Sequence, residues 1–247
     1  MNRNIRILQR QTAQASPFDT STMPSLRENG GALPRRYRTS AEDEIAKLVQ
    51  SVFILPDAAS RPGAVAFCGV DAGTGCSWVC ARAAAVLAEQ VPGTVCVIDA
   101  NLRSPSLHRH FGVEIEAGFA EAMKDPRPIR DFTPPTSTSN LRLMTASAGW
   151  KTPNGALKPA RLRTRFSELR SEFDYLLIDT PPISSYWDAV FLGQLTDGII
   201  LVVGSNSTRR GPARIAKESF EAAKVPMLGA VLNKRTYPIP EALYQRL

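Results

Sequence analysis

The stretch GVDAGTGCS (69–77) carries the densest chemical pattern in this sequence. It follows a nearly continuous apolar run, AVAFCGV (64–70), and leads into a helical pattern, SWVCARAAAVLAEQ (77–90). A Gly-rich turn between strand and helix aims successive backbone N–H groups at one point, and the helix N-terminus adds a field that favours anions, so the turn suits phosphate. A Walker A loop adds a Lys for the β- and γ-phosphates and a Ser or Thr for Mg²⁺. Gly73, Thr74, Gly75 and Ser77 stand at the required spacing, but Cys76 occupies the lysine position. On this motif alone, an ordinary strand-to-helix turn explains the stretch equally well.

Two carboxylates extend the pattern. Asp99 ends the apolar run VCVID and Asp179 ends YLLID. In open α/β sheets, ligands collect at the C-terminal tips of strands. A Walker B carboxylate placed there acts on Mg²⁺ directly or through water. One Asp after an apolar strand is commonplace. Two of them downstream of a Gly-rich turn, followed by ANLRSPSLHRHFG and by TPP, form a specific constellation that predicts Asp99 and Asp179 close together beside Gly73 and Ser77.

The remaining reactive side chains suggest less. Cys68, Cys76, Cys80 and Cys96 include one CxxxC and no CxxC, and His108 and His110 are the only histidines, so a reduced, metal-free interior is expected. Cys68 and Cys96 read as small buried hydrophobes. Cys76 has two readings. At a helix N-terminus a thiol can become a reactive thiolate; alternatively it is a neutral, packed group filling the space of a lysine, with nearby Asp71 opposing ionisation.

The elements that would hold these residues are legible. AVAFCGV (64–70), TVCVIDA (94–100), YLLID (175–179), GIILVV (198–203) and LGAVLN (228–233) are short, nearly continuous apolar runs, as in strands covered on both faces. LRLMTA (141–146) is a further strand. Helical patterns fall between them, at 77–90, 162–173, 185–195 and 214–224, and a first helix begins near Ser40 with Ile45, Leu48, Val49 and Val52 on one face. Strand and helix in alternation predict a doubly wound α/β fold with a mostly parallel sheet. The Pro/Thr/Ser-rich segment 124–140 reads as a loop.

The chain has 247 residues and a formal charge of +7, most of it in residues 1–40, where seven arginines face only Asp19 and Glu28. That segment reads as a basic, disordered arm, residues 41–235 as the α/β domain, and 236–247 as a C-terminal tail. The arm would suit an anionic membrane surface. It offers neither an aromatic stacking platform nor a helix-turn-helix, so nucleic acid is not an expected partner. The sequence contains no run long and apolar enough to span a bilayer, and Arg3, Arg6 and Arg10 interrupt any leader-like segment, which points to a cytoplasmic address.

The three segments AGTGCS, VIDANLRSPSLHRHFG and FDYLLIDTPPISSYWDA, with DGIILVV, resemble the cytoplasmic tyrosine kinases of bacterial capsule and exopolysaccharide assembly, within the MinD/ParA-like P-loop ATPases. The resemblance implies a MinD/ParA-like P-loop fold over about residues 41–235 and binding of ATP or ADP with Mg²⁺. Gly73, Thr74 and Gly75 would wrap phosphates together with Cys76. Ser77, Asp99 and Asp179 would serve the metal, with Asp99 also orienting or deprotonating a tyrosine hydroxyl and Asp179 as the Walker B acid. Asn233 falls where related ATPases meet the adenine, although a turn cap is an equal reading. Implied partners are a membrane-embedded chain-length regulator or transport protein and further copies of the chain, at the inner face of the membrane.

The departures from the family pattern bear on activity. Cys76 replaces the phosphate-binding Lys, Asn101 replaces the second acid of a DxD pattern, and Asp71 lies near the position of the MinD/ParA signature Lys. The assembly motif E-x2-R-x2-R is reduced to Glu44, Lys47 and Gln50, and only Tyr237 and Tyr244 stand in the C-terminal segment. Arg103 and Lys234 are candidate substitute cations, a role that spacing alone does not establish. The expectation is a kinase-like regulatory protein with weak or absent phosphoryl transfer; an active autokinase and a positioning ATPase are the alternatives.

Overall fold

The computed structural model describes residues 4–9, 41–147 and 159–235. Its centre is a sheet of strands β1 (Asn4–Gln9), β2 (Ala64–Gly69), β3 (Val95–Asp99), β4 (Leu141–Met144), β5 (Tyr175–Thr180), β6 (Gly198–Gly204) and β7 (Met227–Arg235). Their order is β1-β7-β6-β2-β5-β3-β4. The last six are mutually parallel, and β1 joins β7 antiparallel. This is the doubly wound, mostly parallel α/β fold that the apolar runs predict.

Period-2 alternation divides the parallel strands β2–β7 between two cores. Val65, Phe67, Val97, Leu177, Ile200 and Val202 pack on one face with helices α1 (Ala41–Val49) and α2 (Cys76–Gln90). Ala66, Cys68, Cys96, Ile98 and Ile178 pack on the other with Phe119, Phe166 and Phe220. Both faces are thus covered, which is why these strands read as continuous apolar runs. Phe166 belongs to α5 (Pro159–Glu172) and Phe220 to α7 (Arg210–Ala222). Helix α1 continues into a π-helical turn, Gln50–Ile54, that buries Val52 and Phe53.

Several boundaries differ from those read in the sequence. The predicted helix 185–195 is only α6 (Asp188–Gly193), because Pro181 and Pro182 lead into a turn that ends at Tyr186. Helix α7 starts four residues before the predicted 214, with Pro212 in its first turn, where a missing N–H costs nothing. Two short helices, α3 (Leu107–Phe111) and α4 (Phe119–Ala122), occupy segments with no predicted element.

The expectation of a disordered arm over residues 1–40 is corrected for Asn4–Gln9. This segment is a strand, registered with Arg6 opposite Leu232 and Leu8 opposite Ala230. The alternation of Ile5 and Ile7 with Asn4 and Arg6 is a strand signal that the arginine content conceals. Residues 10–40 and the tail 236–247 lie outside the described residues.

Candidate functional site

Backbone geometry builds the Gly-rich turn. Gly73 and Gly75 adopt φ of +79° and +83°, the left-handed region that L side chains rarely enter. A β-carbon on Gly75 would lie 2.4 Å from Asn233 Nδ2, whereas one on Gly73 would meet nothing within 4 Å. Gly75 is therefore required by contact and by conformation, and Gly73 by conformation alone. Gly75 also caps α2, which begins at Cys76, one residue before the predicted start. The open space over Gly73 and the free N–H groups of a helix's first turn form a cradle that fits an anion.

The two carboxylates meet as predicted. Asp99 and Asp179 are register partners on neighbouring parallel strands, and Ala100 N–H donates to the Asp179 carbonyl at 2.9 Å. Strand neighbours lie roughly 5 Å apart, which places the two residues side by side. Both side chains are fully buried, yet their surroundings differ.

Asp99 accepts backbone N–H bonds from Asn101 (3.2 Å), Ser106 (2.9 Å) and Leu107 (3.0 Å). It organises the loop that follows it and the start of α3. Burial raises its pKa, and those three bonds restrain the rise. Asn101 closes the same loop, its Oδ1 accepting from Ser104 N–H at 3.3 Å. An amide serves that turn as well as a carboxylate does, without adding a charge beside Asp99.

Neither carboxylate oxygen of Asp179 has a hydrogen-bond partner. Desolvation, followed by the field of Asp99, pushes its pKa well above the usual carboxylate range. Ser77 and Cys76 lie near enough to temper that rise without closing a hydrogen bond. A buried acid without partners is costly unless protonated or matched by a cation. Asp179 and the Ser77 hydroxyl form an oxygen donor pair of the type that suits Mg²⁺ or a water bound to it.

The thiol follows its neutral reading. Cys76 is half-buried, but desolvation, then Asp179 and the neighbouring Cys68 and Cys80, hold it well above the ordinary thiol range. Asp179, rather than the Asp71 named from sequence, is the opposing charge. Cys68 and Cys96 lie in the core, and burial pushes Cys68 up to about 12.

The end of β7 braces the turn from behind. Asn233 is fully buried, its Nδ2 donating to the Thr74 carbonyl at 2.8 Å and its Oδ1 accepting from Lys234 N–H at 2.8 Å. The Nδ2 bond ties the turn to β7, and the Oδ1 bond fixes the amide's orientation. Lys234, with φ +60°, directs Nζ onto the Gly73 carbonyl. Arg103 is committed elsewhere, stacked 3.9 Å over the Tyr186 ring and 3.5 Å from Asp188. The structure thus gathers Gly73, Thr74, Gly75, Cys76, Ser77, Asp99, Asp179 and Asn233 at one edge of the sheet. It adds Gly69, where a β-carbon would strike Thr74 Oγ1 at 2.5 Å, and Thr180, whose hydroxyl donates to the Phe67 carbonyl at 3.0 Å. Both lie within segments quoted from the sequence, GVDAGTGCS and FDYLLIDTPPISSYWDA, but the motif pattern gives neither a role.

No family model matches the chain. The chain is 30% identical over 161 residues to tyrosine-protein kinase YwqD of Bacillus subtilis, covering 65% of this chain and 68% of that protein. It is 28% identical over 138 residues to the putative tyrosine-protein kinase CapB of Staphylococcus aureus, covering 56% and 60%. Against the longer tyrosine-protein kinase ptk of Acinetobacter johnsonii it spans 22% of the relative. Among solved structures, the chimerical protein CapA2B2 matches with TM-score 0.73 at 20% identity, over 82% of this chain and 88% of that one. The kinase domain of Escherichia coli tyrosine kinase ETK matches with TM-score 0.73 at 23% identity, over 82% and 80%. The septum site-determining protein MinD of Pyrococcus horikoshii, solved with Mg-ADP, matches with TM-score 0.58 at 20% identity, over 68% of each chain. These structures share the MinD/ParA-like P-loop fold.

Proposed function

Because the chain belongs to the bacterial tyrosine-protein kinase family, we propose that it is a kinase-like regulator of capsule or exopolysaccharide assembly that binds ATP or ADP with Mg²⁺ and transfers phosphate weakly or not at all. The observation that carries this reading is Asp179, a fully buried carboxylate without partners, beside Ser77 at the mouth of a left-handed glycine turn. Each of these features is costly to the protein alone and useful to a phosphate–metal pair.

In this reading the turn from Gly73 to Ser77 binds phosphate oxygens through backbone N–H groups. Ser77 and Asp179 hold Mg²⁺, which when bound neutralises phosphate charge. Asp99 maintains the adjoining loop through its three backbone bonds. Cys76 presents a neutral thiol where family members place an ammonium. Losing one preorganised electrostatic contact of this kind costs about 3–4 kcal/mol, or roughly a hundred- to thousandfold in rate. The protein would then act by binding: a membrane-embedded chain-length regulator or transport protein, or another copy of the chain, would read the nucleotide-occupied site at the inner membrane face. Among the described residues no helix is long and apolar enough to cross a membrane.

The test is titration of purified protein with a fluorescent ATP analogue, with and without Mg²⁺, alongside phosphotyrosine analysis by mass spectrometry. The expected result is Mg²⁺-dependent binding with little phosphotyrosine, and tighter binding by Cys76→Lys. Robust wild-type phosphotyrosine that Asp99→Ala abolishes would establish the active autokinase instead.

A further inference from the structure

The phosphate turn lacks its own lysine, but a cation stands against it. Lys234 Nζ donates to the Gly73 carbonyl at 2.5 Å, across 161 positions of sequence. Its placement is specified in three ways. Asn233 anchors the preceding residue to Thr74, and its Oδ1 accepts the Lys234 N–H. The Lys234 backbone holds φ +60°, unusual for a residue with a side chain and a sign of local constraint. The stem passes the turn closely, with Cε 3.8 Å from where a Gly75 β-carbon would stand.

We propose that Lys234 is the phosphate-binding cation of this protein, delivered from the end of β7 in place of the lysine missing at position 76. The inference rests on the nucleotide-binding reading above. An ammonium has three donors. One engages Gly73, and the other two are available to phosphate oxygens seated in the turn. Arg103, the other candidate cation, is held by Tyr186 and Asp188. The relocated lysine approaches from the β7 side of the turn, whereas a lysine at position 76 would rise from the first turn of α2. This route preserves charge compensation for binding without restoring the geometry of transfer.

Lys234→Gly is the informative substitution. Glycine suits φ +60° and retains the backbone N–H that Asn233 uses, which offsets the lost Gly73 contact, so the variant should fold with a melting temperature close to that of wild type. Its affinity for a fluorescent ATP analogue with Mg²⁺ should fall roughly ten- to hundredfold, the range for one charge-assisted hydrogen bond. Adding Cys76→Lys to Lys234→Gly should restore most of the loss by supplying the charge from the other side. Wild-type binding that survives Lys234→Gly unchanged overturns this proposal and leaves nucleotide binding standing. A loss that Cys76→Lys does not repair also overturns it, since lost turn geometry would then be the cause. A wild-type protein that binds no nucleotide removes both readings together.

Discussion

Asp179 and Asp99 are the same residue type on adjacent strands, yet their environments assign them different tasks. Asp99 has three backbone N–H donors and Asp179 has none. A protonated Asp179 is compatible with burial, and an ionised one needs a cation. Because its folded pKa is raised, the folded state holds a proton that the unfolded chain releases near pH 4, and stability falls as pH climbs from about 4 through the raised value of about 8. We expect the melting temperature of the metal-free protein, followed in chelator, to fall over this window. Asp179→Asn cannot ionise and should flatten the curve, with its advantage over wild type greater at pH 8 than at pH 5. A wild-type curve as flat as the variant's would mean that Asp179 titrates normally. The same carboxylate, with burial, keeps Cys76 neutral, so Cys76 should alkylate no faster than a free cysteine at pH 7.

At the scale of elements, the turn between β2 and α2 is supported by a strand from the far end of the chain. The contact at its centre is Asn233 against Gly75 and Thr74. Asn233→Ala leaves the Thr74 carbonyl without its donor in a buried place and should cost about 1–3 kcal/mol of stability. Gly75→Ala should cost a similar amount, about 1–3 kcal/mol, because it forces a side chain into the left-handed region and against the amide. The two changes share one space, so the double variant should lose less than the sum of the single losses. Urea denaturation of the four proteins closes this cycle. Strict additivity would show that the amide and the turn do not bear on each other.

At the scale of the molecule, β7 would be the sheet's edge without β1, and it is the strand that supports the site. Pairing with Asn4–Gln9 satisfies its outer backbone groups and covers an edge open to other chains. Deleting residues 1–9 should leave the α/β core folded by far-UV circular dichroism while lowering the melting temperature. Light scattering after size-exclusion chromatography should detect association that grows with concentration. An unchanged melting temperature with monodisperse behaviour would show that β1 contributes nothing to the edge. If the proposed nucleotide site depends on β7, the truncation should also weaken nucleotide binding.

Local signals determined the frame of this protein. The apolar runs at 64–70, 94–100, 175–179, 198–203 and 228–233 mark strands because both sheet faces are covered, and burial leaves its record in each residue regardless of partner. Gly73, Gly75 and Ser77 were legible because a tight turn into a helix constrains neighbours in sequence, and Asp99 and Asp179 because strand tips are local features. The tertiary structure alone decided which groups face those residues. Asn233 and Lys234 lie about 160 positions from the turn they brace, and nothing in their own neighbourhood records that contact. Arg103 and Lys234 were equivalent as charges until packing seated one over Tyr186 and the other on Gly73. The state of Cys76 followed the same rule: its helix-end position favours an anion, but Asp179, brought alongside by the register of β3, β5 and β2, together with burial, favours the neutral thiol. Electrostatic environment is a sum over spatial neighbours, most of them remote in sequence, and only the assembled fold specifies it.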